Sequence, residues 1–403
     1  MMQTMIAMII VSAMILFLIL DRKKIVVHGL FPILYFALYK TRLGLNSMEW
    51  MARKIPRILK ILGITGIITG FIGLTFITIE LIRTTINILT QPSSMPGVMP
   101  VLPIKASGIF YVPPLYFIIS IFVIAIVHEY GHGVIARSRN VPILSSGFAF
   151  VGLIIPIIPA AFVEPDEKKI SQKNITTKLS VFAAGPFFNI LLSLILILLL
   201  GFELPGLIPN SVTSTTSIYN LGGTATEIVI LKELIVKTVT QDSPAEKGGM
   251  TVGERIISIN DASVSSKEMP KIISTLKPGD EVKIKTTEKE YIIKAGVHPT
   301  EKTRGWLGIS FDITTGFSDK ALTKYGELGS TILVFLAEQV YWIIILSIGI
   351  GLFNLLPLGP LDGGRMLKSV LEIIIPERAV SWHNKISIFF LLIIATNILA
   401  GFL

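Results

Sequence analysis

The chain has 403 residues and contains no cysteine. Disulfide bonds, thiolate nucleophiles and cysteine-ligated zinc sites are therefore excluded. Charged residues are also scarce, at 16% of the chain, whereas soluble domains usually carry about 25%. So little charge cannot cover the surface that a soluble protein of this length exposes to water. A soluble enzyme and a disordered chain are both excluded.

The uncharged residues are concentrated in long continuous runs. A helix that crosses a bilayer needs about 20 apolar residues. Six stretches come close to this length or exceed it: residues 1–20, 61–79 (with a continuation towards 89), 114–137, 179–202, 339–361 and 386–403. The sequence thus predicts a polytopic α-helical membrane protein with about six transmembrane helices embedded in a lipid bilayer.

Positive charge exceeds negative charge by nine, a surplus that nucleic-acid-binding proteins also show. Much of it lies in residues 21–60, directly beside apolar runs, which is typical of a cytoplasmic loop rather than of a DNA-binding face. We therefore expect no nucleic-acid partner and an N-terminus outside the cytoplasm. The short apolar stretch 25–39 is predicted to dip into or lie on the cytoplasmic membrane surface.

One segment has the charge balance of a soluble domain. Residues 203–327 hold 15 Lys or Arg and 16 Asp or Glu, and two stretches, 254–260 and 281–286, have the pattern of strands. We predict a water-exposed mixed domain at about 225–315. The chain is then divided into four parts: N-terminal helices with a basic loop (1–89), a first part of the membrane core (90–202), the inserted domain with its linkers (203–327) and a second part of the core (328–403).

The string His128-Glu129-Tyr130-Gly131-His132 lies near the end of the run 114–137. On a helix, residues i and i+4 share one face, so both imidazoles can bind one metal ion with Glu129 beside it as general base. Such a string arises by chance in roughly one chain of this size in a hundred. A polar helix end that reaches the membrane surface is the simpler interpretation, but His128 lies about 14 Å before Arg137. Ionisable groups at that depth favour a functional site.

A catalytic zinc ion usually has three protein ligands and one water. Without cysteine, the third ligand must be His, Asp or Glu. Asp362 is the best candidate, because it follows an apolar run and stands before Gly363 and Gly364, where the backbone can approach a metal closely. A role for Asp362 as the cap of the next helix stays open. The other candidates by residue type, in surroundings expected at the surface, are His28, His298 and His383.

These ligands can meet only on one side of the bilayer. If the N-terminus is outside, successive spans place His128 in the cytoplasmic half, and Asp362 ends on the same side only if the uncharged segment 140–163 does not cross. This segment contains five Pro and Gly residues. It is therefore predicted to form a re-entrant loop or a β-hairpin packed on protein.

Four signals in this order resemble the site-2 protease family of intramembrane zinc metalloproteases. They are HEYGH at 128–132, AAGPFFN at 183–189, FNLLP at 353–357 with LDG at 361–363, and a segment at 243–260 that is similar to the centre of a PDZ domain. The stretches GVMPV at 97–101 and FVEPD at 162–166 are especially similar to archaeal members. GWLGI at 305–309 resembles a PDZ carboxylate-binding loop, although it stands after the domain.

The resemblance implies one zinc ion per chain, held by His128, His132 and Asp362, with Glu129 as catalytic base. Asn189 and Asn354 match family positions where asparagine contacts the substrate backbone or helps to build the site. The implied substrates are transmembrane proteins, cleaved within or next to their membrane segments by an enzyme of the cell membrane. Its active site would lie towards the cytoplasm, and its PDZ-like domain would lie outside, where it could dock a peptide or a substrate ectodomain.

Two other functions stay open. One is an inactive membrane scaffold that acts through the PDZ-like domain, against which the intact Glu129 argues. The other is a metal transporter that uses the same His and Asp cluster, which leaves the inserted domain unexplained.

Overall fold

The structure, a computed structural model, describes residues 2–30, 34–91, 95–153, 155–200, 229–264, 272, 275–299 and 302–402. The chain divides into two compact units. We call Met1–Leu199 with Gln339–Leu403 the membrane unit, and Leu200–Glu338 the sheet unit.

The α-helices, in chain order, are α1 (Met2–Leu20), α2 (Leu45–Lys54), α3 (Pro56–Thr90), α4 (Pro114–Ser138), α5 (Glu167–Ser171), α6 (Ile175–Leu200), α7 (Pro244–Lys247), α8 (Asp319–Asn354), α9 (Asp362–Ile374) and α10 (Ala379–Phe402). The strands are β1 (Ile25–Leu30), β2 (Leu34–Thr41), β3 (Val101–Leu102), β4 (Phe110–Tyr111), β5 (Ile143–Leu153), β6 (Ile155–Pro165), β7 (Val229–Val239), β8 (Arg255–Ile259), β9 (Ala262–Ser263), β10 (Glu281–Thr286), β11 (Glu290–Lys294), β12 (Gly296–Val297), β13 (Gly305–Trp306) and β14 (Ile309–Phe317).

Five helices among the described residues are long and apolar enough to cross a membrane, namely α3, α4, α6, α8 and α10. The protein is therefore a polytopic helical membrane protein, as the uncharged runs predict. The predicted sixth span, residues 1–20, forms α1, in which the apolar stretch Met5–Leu20 is shorter than the other five. The number of spans thus stays a prediction.

The uncharged run 339–361 predicts a helix that ends at about 361, and this prediction is wrong. Helix α8 ends at Asn354, and the chain then turns through Pro357, Gly359 and Pro360 before α9 begins at Asp362. Proline lacks the N–H that a helix needs, so these residues stop α8 before its apolar run ends. The break leaves Asp362 at the start of a separate short helix.

A four-stranded antiparallel sheet in the order β1-β2-β5-β6 belongs to the membrane unit. Strands β5 and β6 form a hairpin, so the β-hairpin alternative for 140–163 is confirmed. Asn140 has a φ of 55°, a conformation that commonly ends a helix, and leads from α4 into β5. The stretch 25–39 lies almost entirely in β1 and β2, which the sequence did not identify as strands.

The sheet unit contains a second sheet, in the order β11-β10-β8-β7-β14, with β9 paired to β8. The strands predicted at 254–260 and 281–286 are confirmed as β8 and β10. Glu254 is buried within this unit and accepts hydrogen bonds from Thr251 and, at 2.6 Å, from the Tyr291 hydroxyl. Burial and this hydrogen bond raise the pKa of Tyr291 to about 12.

Candidate metal centre

Helix α4 brings His128, Glu129 and His132 to the site. The helix begins with Pro114 in its first turn, where a missing N–H costs nothing, and then runs through an apolar segment. His128 and His132 are four residues apart, and each is only 9% exposed to solvent. The spacing therefore places both rings on one buried face of the helix, as predicted.

Asp362 completes a cluster with the two histidines. Its Oδ2 lies 3.2 Å from Nε2 of His128 and 3.3 Å from Nε2 of His132, and the two Nε2 atoms are 3.2 Å apart. Asp362 itself is 8% exposed. This is the only group of three His, Cys, Asp or Glu residues in the described part of the chain that could hold a metal ion.

The Nδ1 atom of each ring, which takes no part in the cluster, contacts a polar group of α6. Nδ1 of His132 lies 2.7 Å from the Val181 carbonyl, which can only accept, so Nδ1 carries a proton and Nε2 is the nitrogen left to bind a metal ion. Nδ1 of His128 lies 3.1 Å from Nδ2 of Asn189, and Oδ1 of the same amide is buried without a hydrogen-bond partner among the described residues. If the oxygen and nitrogen of this amide are exchanged, Oδ1 accepts a hydrogen bond from Nδ1 of His128. The proton is then on Nδ1 in His128 as well, which leaves its Nε2 to bind a metal ion.

This donor set fits a zinc ion. Ligands at the usual Zn–N and Zn–O distances of about 2.0 to 2.1 Å are about 3.3 to 3.4 Å apart in a tetrahedron. The three observed separations of 3.2 to 3.3 Å match that spacing. A bound cation would satisfy the two ring nitrogens and the carboxylate oxygen at once.

Glu129 lies beside the cluster and is half-buried. Its Oε2 accepts a hydrogen bond of 2.8 Å from the backbone N–H of Val163 in β6. The β-hairpin therefore positions the carboxylate that the sequence predicts as the base. A backbone donor leaves no signature in the side-chain pattern, so sequence reasoning missed the role of Val163.

A cleft of 280 Å³ opens onto the cluster and includes Glu129 and Asn354 among its walls. Asn189, in contrast, is fully buried and reaches the back of His128, so its place suits a residue that helps to build the site better than one that contacts substrate. His383, a candidate by type, is buried near the start of α10 and does not join the cluster. His298 belongs to the sheet unit, and the side chain of His28 lies outside the described residues.

Gly185 of α6 packs against the cluster. A Cβ at this position would collide with Nε2 of both histidines, so only glycine allows α6 to pass so close. We expect Gly185→Ala to lower zinc affinity at least about tenfold, since displacing metal ligands has effects of this order. The measurement is the amount of zinc bound to the purified chain at a series of buffered zinc concentrations.

The matched control is Gly349→Ala in α8, where a Cβ would meet nothing within 4 Å. It should bind zinc like the wild type. If the two variants bind zinc equally well, Gly185 does not limit the geometry of the cluster.

Comparison with known proteins identifies the chain's relatives. An uncharacterized protein of Methanocaldococcus jannaschii is 27% identical over 355 residues, which cover 87% of this chain and 81% of the relative. A protein of Rickettsia conorii named "Putative zinc metalloprotease" is 26% identical over 344 residues, covering 64% of this chain and 88% of the relative. The "Probable protease eep" of Enterococcus faecalis is 25% identical over about half of each chain.

The sequence profile of peptidase family M50 matches residues 116–394, which include all of the cluster and the cleft. This match extends over more than half of the chain and includes the HEYGH string, the AAGPFFN segment and the LDG motif. The resemblance that the sequence motifs indicate is confirmed. The chain belongs to peptidase family M50, the site-2 protease family.

Proposed function

We propose that this protein is a zinc endopeptidase that hydrolyses peptide bonds within or next to the transmembrane segments of membrane-protein substrates. The observation that carries the proposal is the cluster itself. Three metal-ligating atoms converge beside a half-buried carboxylate, in a unit built from helices that can cross a membrane. Family membership supports the same chemistry.

Each residue of the site has a proposed role. His128, His132 and Asp362 would hold the zinc ion. Bound zinc would supply Lewis-acid chemistry, lowering the pKa of a water to about 7 and polarising a carbonyl. Glu129 would accept the proton of the attacking water and then deliver it to the amine of the leaving peptide. Asn189 would keep the ring of His128 in its ligating tautomer, and Asn354 would meet the substrate in the cleft.

A substrate helix must unwind locally, because its carbonyl groups are engaged in helical hydrogen bonds. Strand β6 is the edge of its sheet and passes directly beside Glu129. Residues two apart in a strand direct their backbone groups to the same side, so Ala161 and Val163 share the edge that faces Glu129. We propose that this edge binds the unwound segment by strand addition.

Val163→Pro tests the edge of β6. Proline removes the N–H that holds Glu129, and strand edges tolerate proline, as Pro159 and Pro165 already show in β6. A hydrogen bond to a charged group contributes about 1.5 to 3 kcal/mol, so we expect kcat to fall roughly 10- to 100-fold at unchanged zinc content. The measurement is single-turnover cleavage of a reconstituted single-span substrate.

Val163→Ala is the matched control, because it trims the side chain and keeps the N–H. It should retain most of the activity. Equal losses in the two variants would contradict a role for the backbone donor.

We also propose a topology. The end of α4, the first half of α6 and the start of α9 meet at the cluster, so these ends share one face of the membrane unit. Arg137, Arg139 and Lys178 lie near the same ends, which by the positive-inside rule would be the cytoplasmic face. The N-terminus and the sheet unit would then lie outside the cytoplasm.

The sheet unit is proposed to be a PDZ-like domain that docks a peptide or a substrate ectodomain. Strand β14 begins at the last residue of the GWLGI stretch and ends the strand order, so among the described strands it has β7 alone as its partner. An edge strand placed in this way can bind an extended peptide. The proposal fails if deletion of residues 225–315 leaves the choice among several substrates unchanged.

The proposed activity is tested by reconstituting the full chain in liposomes with a single-span substrate. Cleavage should require zinc, stop on chelation and return when zinc is restored. Cleavage products should map within or next to the membrane segment. A purified, zinc-loaded chain that cleaves none of a panel of such substrates, or that transports zinc instead, would contradict the proposal.

A further inference from the structure

A second cleft of 280 Å³ lies in the membrane unit, next to the metal-centre cleft. Its walls come from α5, the first two turns of α6, the loop after α8, α9 and the start of α10. We call it the basic cleft, after the side chains described below. The two clefts share Glu167, Ile170, Phe182 and Arg365, and neither the zinc chemistry nor the strand edge uses the basic cleft.

Positive side chains outnumber negative ones in this cleft. Lys178, Arg365 and Lys368 line it, with Glu167 and Glu372 as the carboxylates. Arg365 is paired with Glu167, and Lys178 lies 3.5 Å from Glu372. Lys368 is half-buried and has no ion pair among the described residues. One cation in the walls is therefore left without a counter-charge.

A buried imidazole adds to this imbalance. His383 is 8% exposed and lines the same cleft. Its Nε2 is buried and has no hydrogen-bond partner in the described part of the chain. Buried polar atoms are normally paired, so an unpaired one in a cleft wall indicates a missing ligand atom.

The basic cleft lies at one end of the membrane helices, because α6 and α10 begin there and α8 ends shortly before it. Beside it, the end of α9 and the start of α10 leave large apolar side chains exposed. They are Ile373 (62%), Ile374 (68%), Val380 (57%) and Trp382 (47%). Tryptophan is enriched where a membrane meets water, and exposed aliphatic side chains there contact acyl chains.

We propose that the basic cleft binds the phosphate of an anionic phospholipid, with the acyl chains against the apolar residues of α9 and α10. The phosphate pairs with Lys368 and, through a proton on the ring, with Nε2 of His383. A free phosphate ion has the same headgroup chemistry, but it would leave the exposed apolar patch uncovered. Basic pockets between membrane helices are established binding places for anionic headgroups in general.

Native mass spectrometry of the full zinc-loaded chain in a neutral detergent tests the proposal. Phosphatidylglycerol is compared with phosphatidylcholine of the same acyl chains. We expect one tightly retained phosphatidylglycerol per chain and a clear preference over phosphatidylcholine. Removing one basic residue near a membrane surface weakens such binding by about fivefold, the loss expected for Lys368→Gln.

Lys169→Gln is the matched control, because Lys169 is an exposed lysine of α5 outside the cleft walls. It should retain the lipid as the wild type does. His383→Gln is the second variant and should also weaken retention. Equal retention by Lys368→Gln and Lys169→Gln would overturn the proposal. Complete displacement of the lipid by millimolar inorganic phosphate would overturn the choice of a phospholipid.

Discussion

Glu129→Gln is expected to slow cleavage of a reconstituted single-span substrate by about 10²- to 10⁴-fold, the usual contribution of a general acid–base group. The amide keeps the size of the side chain and can still contact the N–H of Val163 through its oxygen. It cannot accept the proton of the attacking water. Because Glu129 is not one of the three converging ligands, the variant should still bind one zinc ion.

The measurements are single-turnover cleavage and bound zinc per chain, made on the same preparation. Glu80→Gln is the control, since Glu80 lies in α3, pairs with Arg83 and takes no part in the cluster. It should cleave at the wild-type rate. Undiminished cleavage by Glu129→Gln would remove Glu129 from the chemistry, and the strand-edge arrangement would then need another explanation.

Asp362→Ala is expected to have the second large effect. The substitution removes Oδ2, which lies 3.2 Å and 3.3 Å from the two ring nitrogens, and leaves two imidazoles without their anionic partner. Changes to groups that merely support metal ligands lower affinity about 10- to 100-fold, so loss of a ligand should lower it by at least about 100-fold. Cleavage should be lost with the metal.

Zinc bound at a series of buffered free-zinc concentrations measures this effect. Glu377→Ala is a suitable control, because Glu377 is an exposed carboxylate between α9 and α10 that lines neither cleft. It should bind zinc normally. An Asp362→Ala chain that keeps its full zinc affinity would remove Asp362 from the ligand set and would reopen the search for a third ligand.

Local sequence was informative where one helix carries the signal. The spacing of His128 and His132 needs only the period of an α-helix, and α4 has that period. The hairpin at 143–165 followed from a less local argument. Its proline and glycine content alone left a re-entrant loop open, and the requirement that Asp362 and His128 share one side excluded a span.

Other features of the fold could not be predicted from local sequence. The apolar run predicts a helix end at 361, seven residues beyond the observed end of α8 at 354, because such a run does not mark where proline stops a helix. Strands β1 and β2 were missed, since their apolar residues suit a membrane surface as well as a sheet. Strand β2 depends on pairing with β5, which lies more than 100 residues away, and β1 pairs in turn with β2.

The sequence by itself determined the membrane-protein class, the two histidines and their base, and the best candidate for the third ligand. Each of these depends on composition or on residues within one helix or one motif. Only the tertiary structure decided that Asp362 meets the histidines at ligand distances, that Val181 and Asn189 hold their rings, and that the Val163 N–H holds Glu129. Those contacts join residues from separate helices and strands, often through backbone atoms, which are the same in every residue and therefore leave no trace in the order of side chains.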